Sequence, residues 1–550
     1  MARGSTADSQ IEMTSTVETG PSSPGKDNAV LSSQDAYELA RVGKREILKR
    51  RFGLTSTVGF ACSLMLTWEA IMLNIGIGLR NGGPAGLVYG YIGVWIGFIS
   101  IFISMGELAS MMPSAGGQYH WTSILAPDFS KRFISHVTGS ICIIAWIAAP
   151  TALIYVASSV LQSAVALNHP QYEPKGWHVT LIMWGILLVC TGFNTWLGMI
   201  LPVIEVLILI IHVLGFFAVL IPIVYLGPRA NARSIFLLSY DFGGWNNITL
   251  STFIGLKASV AAFLGTDGAV HMAEEVANSS IVVAQSMLLA IFINGLLGFA
   301  ILTAFLFTAG DLTTILKSDA TYPFINVLQS STKSTGAAIV LSCMIAILQA
   351  CAGLGAISSG SRMLWAFSRE KALPGWRWIR RVNPRTAVPF HSTCLIVLAV
   401  GLLSLINIGS SVVLNIILSL LLEAFFSSYI ISLSLLLYRR LKGDISEPDE
   451  DAGSNRSFVW GPFRLRGWVG TVNNVFAIVF SVIMMVFGFW PAVNHPAPAK
   501  MNWSIVIFGG VTALAVVYYL GWARKYYQGP LIEVEIAEAP VAQRRGAEGS

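Results

Sequence analysis

Four carboxylates lie well inside long apolar runs of this 550-residue chain: Glu69, Glu205, Asp267 and Glu423. Lys257, His212 and His271 lie in such runs too. A charge at mid-bilayer costs roughly 2.5–3.5 kcal/mol on insertion scales, so such residues face a cavity or a partner and mark solute or proton pathways. Glu69 sits in Leu66-Thr67-Trp68-Glu69-Ala70, and Gly76, Gly78, Gly82 and Gly83 follow. Asp267 sits in Phe263-Leu264-Gly265-Thr266-Asp267-Gly268, where two glycines flank a Thr-Asp pair. Glycine costs about 1 kcal/mol per helical position relative to alanine, so both helices are expected to be interrupted there. A broken helix leaves free N–H groups at one end and free C=O groups at the other. The N–H end attracts a carboxylate, and the C=O end or Glu69 attracts an ammonium group. Trp68 and Phe263 stand beside the breaks and offer faces for cation–π attraction. The candidate solute-binding residues are therefore Thr67, Trp68, Glu69, Phe263, Gly265 and Thr266. The alternative for Glu69 is pairing with Lys257 or capping a kink.

Asp267 and His271 are four residues apart and share a face if the helix is intact there. Glu205 and His212, seven apart, also share a face. These four are the candidates for carrying a coupling proton. The alternative for Glu205 and His212 is an internal ion pair or a hydrogen-bonded packing role.

The elements that position these residues are long and apolar. Hydrophobic residues make up 54% of the chain and charged residues 12%, about half the ~25% usual for soluble domains. Mean hydropathy is +0.66. This excludes a cytosolic enzyme, a secreted disulfide scaffold and a disordered chain, and indicates an all-α polytopic membrane protein. Twelve transmembrane spans are expected: Leu54–Leu79, Leu87–Met111, Phe133–Leu167, Val179–Met199, Val203–Leu226, Phe253–Val276, Ile281–Ala309, Ala337–Phe367, Phe390–Ile408, Val412–Tyr438, Val469–Trp490 and Trp503–Ala523. The third and eighth are long enough to tilt or to extend past the membrane. Spans one and six hold corresponding places in two five-helix halves, about 54–226 and 253–438. Interrupted helices at corresponding places point to a midplane site in an inverted-repeat transporter. Two further helices, about 469–523, complete a membrane domain over residues 52–525.

Lys and Arg placement orients the chain. With the N-terminus in the cytoplasm, 27 of the 35 fall inside and seven outside, with Lys257 intramembrane. Both termini are thus expected to be cytoplasmic. This bias also explains the net charge of +6 without nucleic acid. Residues 1–51 and 526–550 read as disordered polar tails, and Asp444, Glu447, Asp449, Glu450 and Asp451 as a solvated acidic patch. No apolar stretch precedes residue 50, so no cleavable signal peptide is expected. Asn247-Ile248-Thr249 is a glycosylation sequon in an external loop; those at Asn278 and Asn455 would face the cytoplasm.

Enzyme signatures do not appear: there is no Walker loop, no HExxH and no Gly-x-Ser-x-Gly. The run Ala352–Gly360 reads as a close-packing helix face, not a dinucleotide loop. The six cysteines lie in apolar runs with no metal-ligand spacing. No cofactor or metal is expected.

One run resembles a known signature. Glu107-Leu108, then Pro113-Ser114-Ala115-Gly116-Gly117-Gln118-Tyr119-His120-Trp121, is similar to the E-L-x(4)-P-x-A-G-G-x-Y-x-W pattern of the amino acid–polyamine–organocation superfamily of permeases. The resemblance is strongest to its fungal amino acid/choline family, which includes GABA and choline permeases. Phe263–Glu275, Ser361–Pro374, Asn407–Ser411 and Tyr438–Leu441 also resemble family segments. The resemblance covers roughly residues 52–530. It implies a five-plus-five inverted repeat with two appended helices and a solute site at the breaks in helices one and six. It places the first break near Thr67–Ala70. Many relatives carry a Gly-Ser-Gly-type run there, and this chain has Thr-Trp-Glu-Ala instead. A carboxylate at that place suits a solute of dominant positive charge, such as choline, a polyamine or a basic amine. Asp267 sits where many relatives have an acidic residue linked to proton coupling, and the resemblance favours the plasma membrane over an organelle membrane. The expected function is proton-coupled secondary transport (symport) of a small amine or amino acid. The alternatives are an exporter on the same fold and a nutrient receptor that does not transport. A channel is disfavoured because nothing resembles a selectivity filter.

Overall fold

A computed structural model describes residues 35–531 apart from 37, 41, 170, 313–315, 317–320, 410–412, 448–457 and 499–500, together with the backbone but not the side chains of 413–419. Most of the two tails, Asp449–Asp451 of the acidic patch and the Asn455 sequon lie outside the described residues.

The apolar runs fold as helices because a chain in hydrocarbon must satisfy its backbone groups internally. Eleven described helices are long and apolar enough to cross a membrane. The remaining expected span, the sixth, is present as pieces. In chain order the helices that matter here are α1 (Leu54–Met65), α2 (Thr67–Arg80), α3 (Gly83–Met111), α4 (Gln118–Leu125), α5 (Lys131–Asn168), α6 (Gly176–Thr195) and α7 (Leu201–Leu226). The broken sixth span follows as α8 (Ile248–Gly255), α9 (Lys257–Ala261) and α10 (Gly268–His271). Then come α11 (Ser279–Thr308), α12 (Thr335–Arg369), α13 (Trp376–Ile379), α14 (Phe390–Ser404), α15 (Val413–Lys442), α16 (Gly467–Gly488) and α17 (Ser504–Tyr518). One short parallel strand pair, Ile445–Ser446 with Phe458–Val459, joins α15 to α16.

The expected long third and eighth spans are α5, 38 residues, and α12, 35 residues, and they pack along each other. Small residues permit the approach: a Cβ on Gly353 would meet Ile154 Cγ1 at 2.6 Å, and one on Gly360 the Trp146 carbonyl at 2.8 Å. Large apolar side chains remain exposed on α6, α7 and α16, among them Leu188, Val203, Leu214 and Val479, a surface made for lipid tails.

α1, α10 and α11 meet at the face where the segment before α1 packs. Phe52 bridges Val276, and Arg51 and Phe52 donate N–H bonds to the Glu275 carbonyl. Within the segment read as polar tail, Leu39, Lys44 and Leu48 are buried. Lys44 Nζ pairs with Glu370, which also accepts the Leu531 N–H, so the segment before α1 and the segment after α17 converge on one carboxylate.

Candidate functional site

The first helix is interrupted at Leu66, which turns into the left-handed region at φ 42°, ψ 51°. Such a conformation costs a non-glycine residue on the order of 1–3 kcal/mol and persists only where its surroundings enforce it. Thr67 is held from two sides: its Oγ1 donates to the Ala262 carbonyl at 2.8 Å, and its N–H donates to Asn294 Oδ1 at 3.3 Å. In the sixth span no helix covers Ala262–Asp267, and Gly265 takes φ +100°. The two breaks face each other, since a Cβ on Gly265 would stand 3.2 Å from the Leu64 carbonyl oxygen.

The backbone accounting follows from the breaks. Among the described residues, the carbonyls of Ser63, Leu64 and Met65 accept no backbone N–H. The N–H groups of Leu264, Gly265 and Thr266 donate to no backbone carbonyl. An acceptor-rich helix end therefore lies beside a donor-rich bend, a pairing that can receive a cation and an anion a few ångströms apart.

Glu69 enters from the first turn of α2. Its Oε1 accepts from His212 Nδ1 at 2.8 Å, and its Oε2 is buried without a partner. It does not pair with Lys257, whose Nζ donates to the Trp490 carbonyl at 3.3 Å. Trp68 faces the same way, donating Nε1–H to the His212 carbonyl at 3.3 Å with its ring 6.4 Å from Phe216. Glu205, one face of α7 away, accepts from Ser63 Oγ at 2.8 Å. Glu205 and His212 thus do not pair with each other; they address opposite halves of the broken first helix.

Asp267 is held by two donors, Tyr429 Oη–H to Oδ1 at 2.8 Å and Gln118 Nε2–H to Oδ2 at 2.8 Å. His271 donates Nδ1–H to the Ala115 carbonyl at 2.9 Å. That fixes its tautomer and leaves Nε2 as a buried acceptor with no partner. Asp267 stands at the start of the four-residue α10 and His271 at its end, and the two side chains bond different partners. The signature Pro113–Trp121 explains both contacts: it wraps around α10 so closely that a Cβ on Gly117 would meet the His271 ring at 3.0 Å.

Phe263 lies away from Trp68. It packs on Tyr91 at 5.1 Å and Phe98 at 5.8 Å, an aromatic core between α3 and the break. Aromatic faces at the site come instead from Trp146, T-shaped to His271 and to Phe425, each at 5.3 Å. Thr266 Oγ1 is buried without a hydrogen bond. Ser359 closes the wall by donating to the Gly268 carbonyl at 3.2 Å. Asn247 is exposed and caps α8, accepting the Leu250 N–H at 3.1 Å. Glu423 is fully buried with neither oxygen hydrogen-bonded.

Sequence reasoning missed Gln118, Asn294, Ser359 and Tyr429. Gln118 carried a signal, since it lies inside the signature; the other three are ordinary polar residues of apolar helices. It also passed over Glu274 and Glu275, at the end of the expected sixth span. Both are buried: Arg369 binds Glu274 at 2.8 Å and Arg362 binds Glu275 at 2.7 Å. With Lys44–Glu370 they form an ion lattice between the site and the face where the segment before α1 packs. Burial pushes the Glu370 carboxyl above its ordinary range, and Lys44 and Arg369 pull it back. Thr67, Trp68, Glu69, Thr266 and Asp267 are all fully buried, so the site is closed on both sides in this conformation.

The family described as amino acid permease matches residues 52–511. The chain is 28% identical to the choline transporter of Saccharomyces cerevisiae over 474 residues, covering 86% of this chain and 81% of that one. It is 27% identical to the GABA-specific permease of the same yeast, covering 92% and 87%. It is 25% identical to amino-acid permease 2 of Neurospora crassa, covering 96% and 95%. With helices broken at their first and sixth places and a family match running through nearly the whole membrane domain, the chain belongs to the amino acid permease family of the amino acid–polyamine–organocation superfamily: it is a membrane transporter, not an enzyme.

Proposed function

We propose that this permease moves a small ammonium-bearing solute, choline or an amino acid, by proton-coupled secondary transport, with the solute held between the two breaks. The observation that carries the reading is the concentration of unsatisfied polar atoms there. Glu69 Oε2, Thr266 Oγ1, Asn294 Nδ2 and His271 Nε2 are buried without partners, beside backbone groups equally unpaired. Each such group costs about 1–3 kcal/mol, a cost relieved when a solute supplies the missing bonds. The Ser63–Met65 carbonyls and Glu69 suit the ammonium group, with the Trp146 and Phe425 faces as its aromatic wall. The Leu264–Thr266 amides suit a carboxylate where the solute has one. Asp267, tethered to α4 and α15, is placed to exchange a proton as those helices move, with His271, Glu205 and His212 as the other carriers. Both termini face the cytoplasm of a cell whose plasma membrane holds the protein, by the Lys and Arg asymmetry and by the family resemblance respectively.

The test is accumulation of labelled choline, GABA, polyamines and neutral and basic amino acids in a host lacking its own permeases, with and without a proton gradient. Saturable accumulation of at least one amine against its gradient, collapsing with a protonophore, is expected. Failure of every amine to accumulate in cells that display the protein would overturn the reading.

A further inference from the structure

The segment between α12 and α14 carries Lys371, Arg377, Arg380, Arg381 and Arg385 and no acidic residue from 371 to 391. It lies on the face where Lys44 and Leu531 meet Glu370. Several other arginines there are neutralised within the fold: Arg50 by Asp35, Arg362 by Glu275, Arg369 by Glu274, Arg439 by Asp444 and Arg440 by Glu107. By contrast, Arg377, Arg380, Arg381 and Arg385 are exposed, and among the described residues none has a carboxylate within 4.0 Å. Insertion topology alone accounts for cations on this face, but not for their collection around one built feature.

That feature has a fixed frame and an opening. Trp365 Nε1–H donates to the Arg380 carbonyl at 3.0 Å and Ser392 Oγ–H to the Ile379 carbonyl at 3.1 Å, so α13 is pinned to α12 and α14. Lys371, Arg377 and Arg380 gather around the Trp376 ring at 5.5, 5.3 and 4.7 Å. Arg381, Val382, Asn383, Pro384, Phe390 and His391 line a cavity of about 350 Å³. His391 Nδ1 is buried and unpartnered, and the exposed Trp378 packs on that ring at 4.4 Å. Trp378 and Phe390 are 46% and 38% exposed at the level where two membrane-spanning helices emerge. Tryptophan favours the headgroup level of a bilayer, and an arginine fork matches a phosphate oxygen pair.

We propose that this segment binds the headgroup of an anionic phospholipid, with the phosphate in the cavity beside Arg381, the other cations around it and Trp378 and Phe390 against the acyl boundary. A soluble anion would gain nothing from the two exposed aromatics, which is why a lipid is the ligand chosen.

The experiment uses the full chain, purified and placed in phosphatidylcholine nanodiscs with graded phosphatidylserine or phosphatidylinositol, with retained lipid counted by native mass spectrometry. The fourfold variant R377Q/R380Q/R381Q/R385Q should lose the retained anionic lipid. A control with equal charge loss elsewhere on the face, K49Q/R132Q/R466Q/K525Q, should keep it. R381Q alone should weaken retention about fivefold, the equivalent of about 1 kcal/mol per surface cation, which keeps the test open if the fourfold variant fails to fold. W378A should weaken retention without any charge change. Unchanged retention in R381Q and the fourfold variant, equal loss in the control, or displacement of the lipid by millimolar inorganic phosphate would each overturn the proposal. Solute uptake is not the readout, so its failure and the failure of this site are separate results.

Discussion

The two helix breaks are made in different ways. The first helix yields at one residue, Leu66, between two well-formed helices. The sixth opens over Ala262–Asp267 and continues only as the four-residue α10 and a short 3-10 turn. In the sixth, a local residue does the work: Gly265 takes φ +100°, a region open to glycine at little cost. In the first, no glycine stands at the turn. A leucine is held left-handed by the bonds of Thr67 to Ala262 and Asn294. The sixth break is thus written into its own segment and the first is imposed by its neighbours. A site built this way has one preset wall and one wall that depends on the other being in place.

Substitutions at each wall sharpen that contrast. Asp267→Asn should have the largest effect. It replaces the carboxylate that accepts from Tyr429 and Gln118, and a hydrogen bond to a charged group is worth roughly 1.5–3 kcal/mol. Concentrative uptake should fall by about a hundredfold or more, measured as initial rate in cells with matched surface expression. Glu69→Gln should follow. The solute concentration for half-maximal uptake should rise about tenfold, about 1.4 kcal/mol, with the maximal rate less affected. An equal loss for permanently charged and for neutral solutes would deny Glu69 its role as counter-charge. Gly265→Ala comes next, since a Cβ at that φ is strained by about 1–3 kcal/mol and crowds the Leu64 carbonyl. Thermal stability in detergent should drop accordingly. The smallest effect belongs to Thr67→Val, which strands the Ala262 carbonyl at about 1 kcal/mol. Thr67→Ser should restore wild-type melting because it keeps the hydroxyl. If Thr67→Val destabilised more than Gly265→Ala, the assignment of preset and dependent walls would be reversed.

Much of the fold was legible in the residues. Eleven of the twelve expected spans stand as helices long enough to cross a membrane, and the sixth is fragmented around the glycines that foretold it. The signature Pro113–Trp121 pointed to a close turn, and it supplies Gln118 and the Ala115 carbonyl to the sixth span. Pairings were not legible. The protein partner considered for Glu69, as the alternative to a solute, was Lys257, whereas the structure brings His212. Phe263 was read as an aromatic face beside the break, whereas it packs with Tyr91 and Phe98. Glu274 and Glu275 were not singled out because their arginines, Arg369 and Arg362, come from a helix nearly a hundred residues on.

By itself the sequence determined that the chain lives in a bilayer, how many times it approaches a crossing, which acids must find company there, and where the sixth span fails. These are local properties: apolar length, the cost of a lone charge and the steric freedom of glycine act within one segment. Only the tertiary structure decided which donor meets which acid, that a leucine would be turned left-handed at the first break, and that Lys44 and Leu531 would both close on Glu370. Those outcomes depend on side chains more than a hundred residues apart being brought within 3 Å, which packing of whole helices settles and no segment encodes alone.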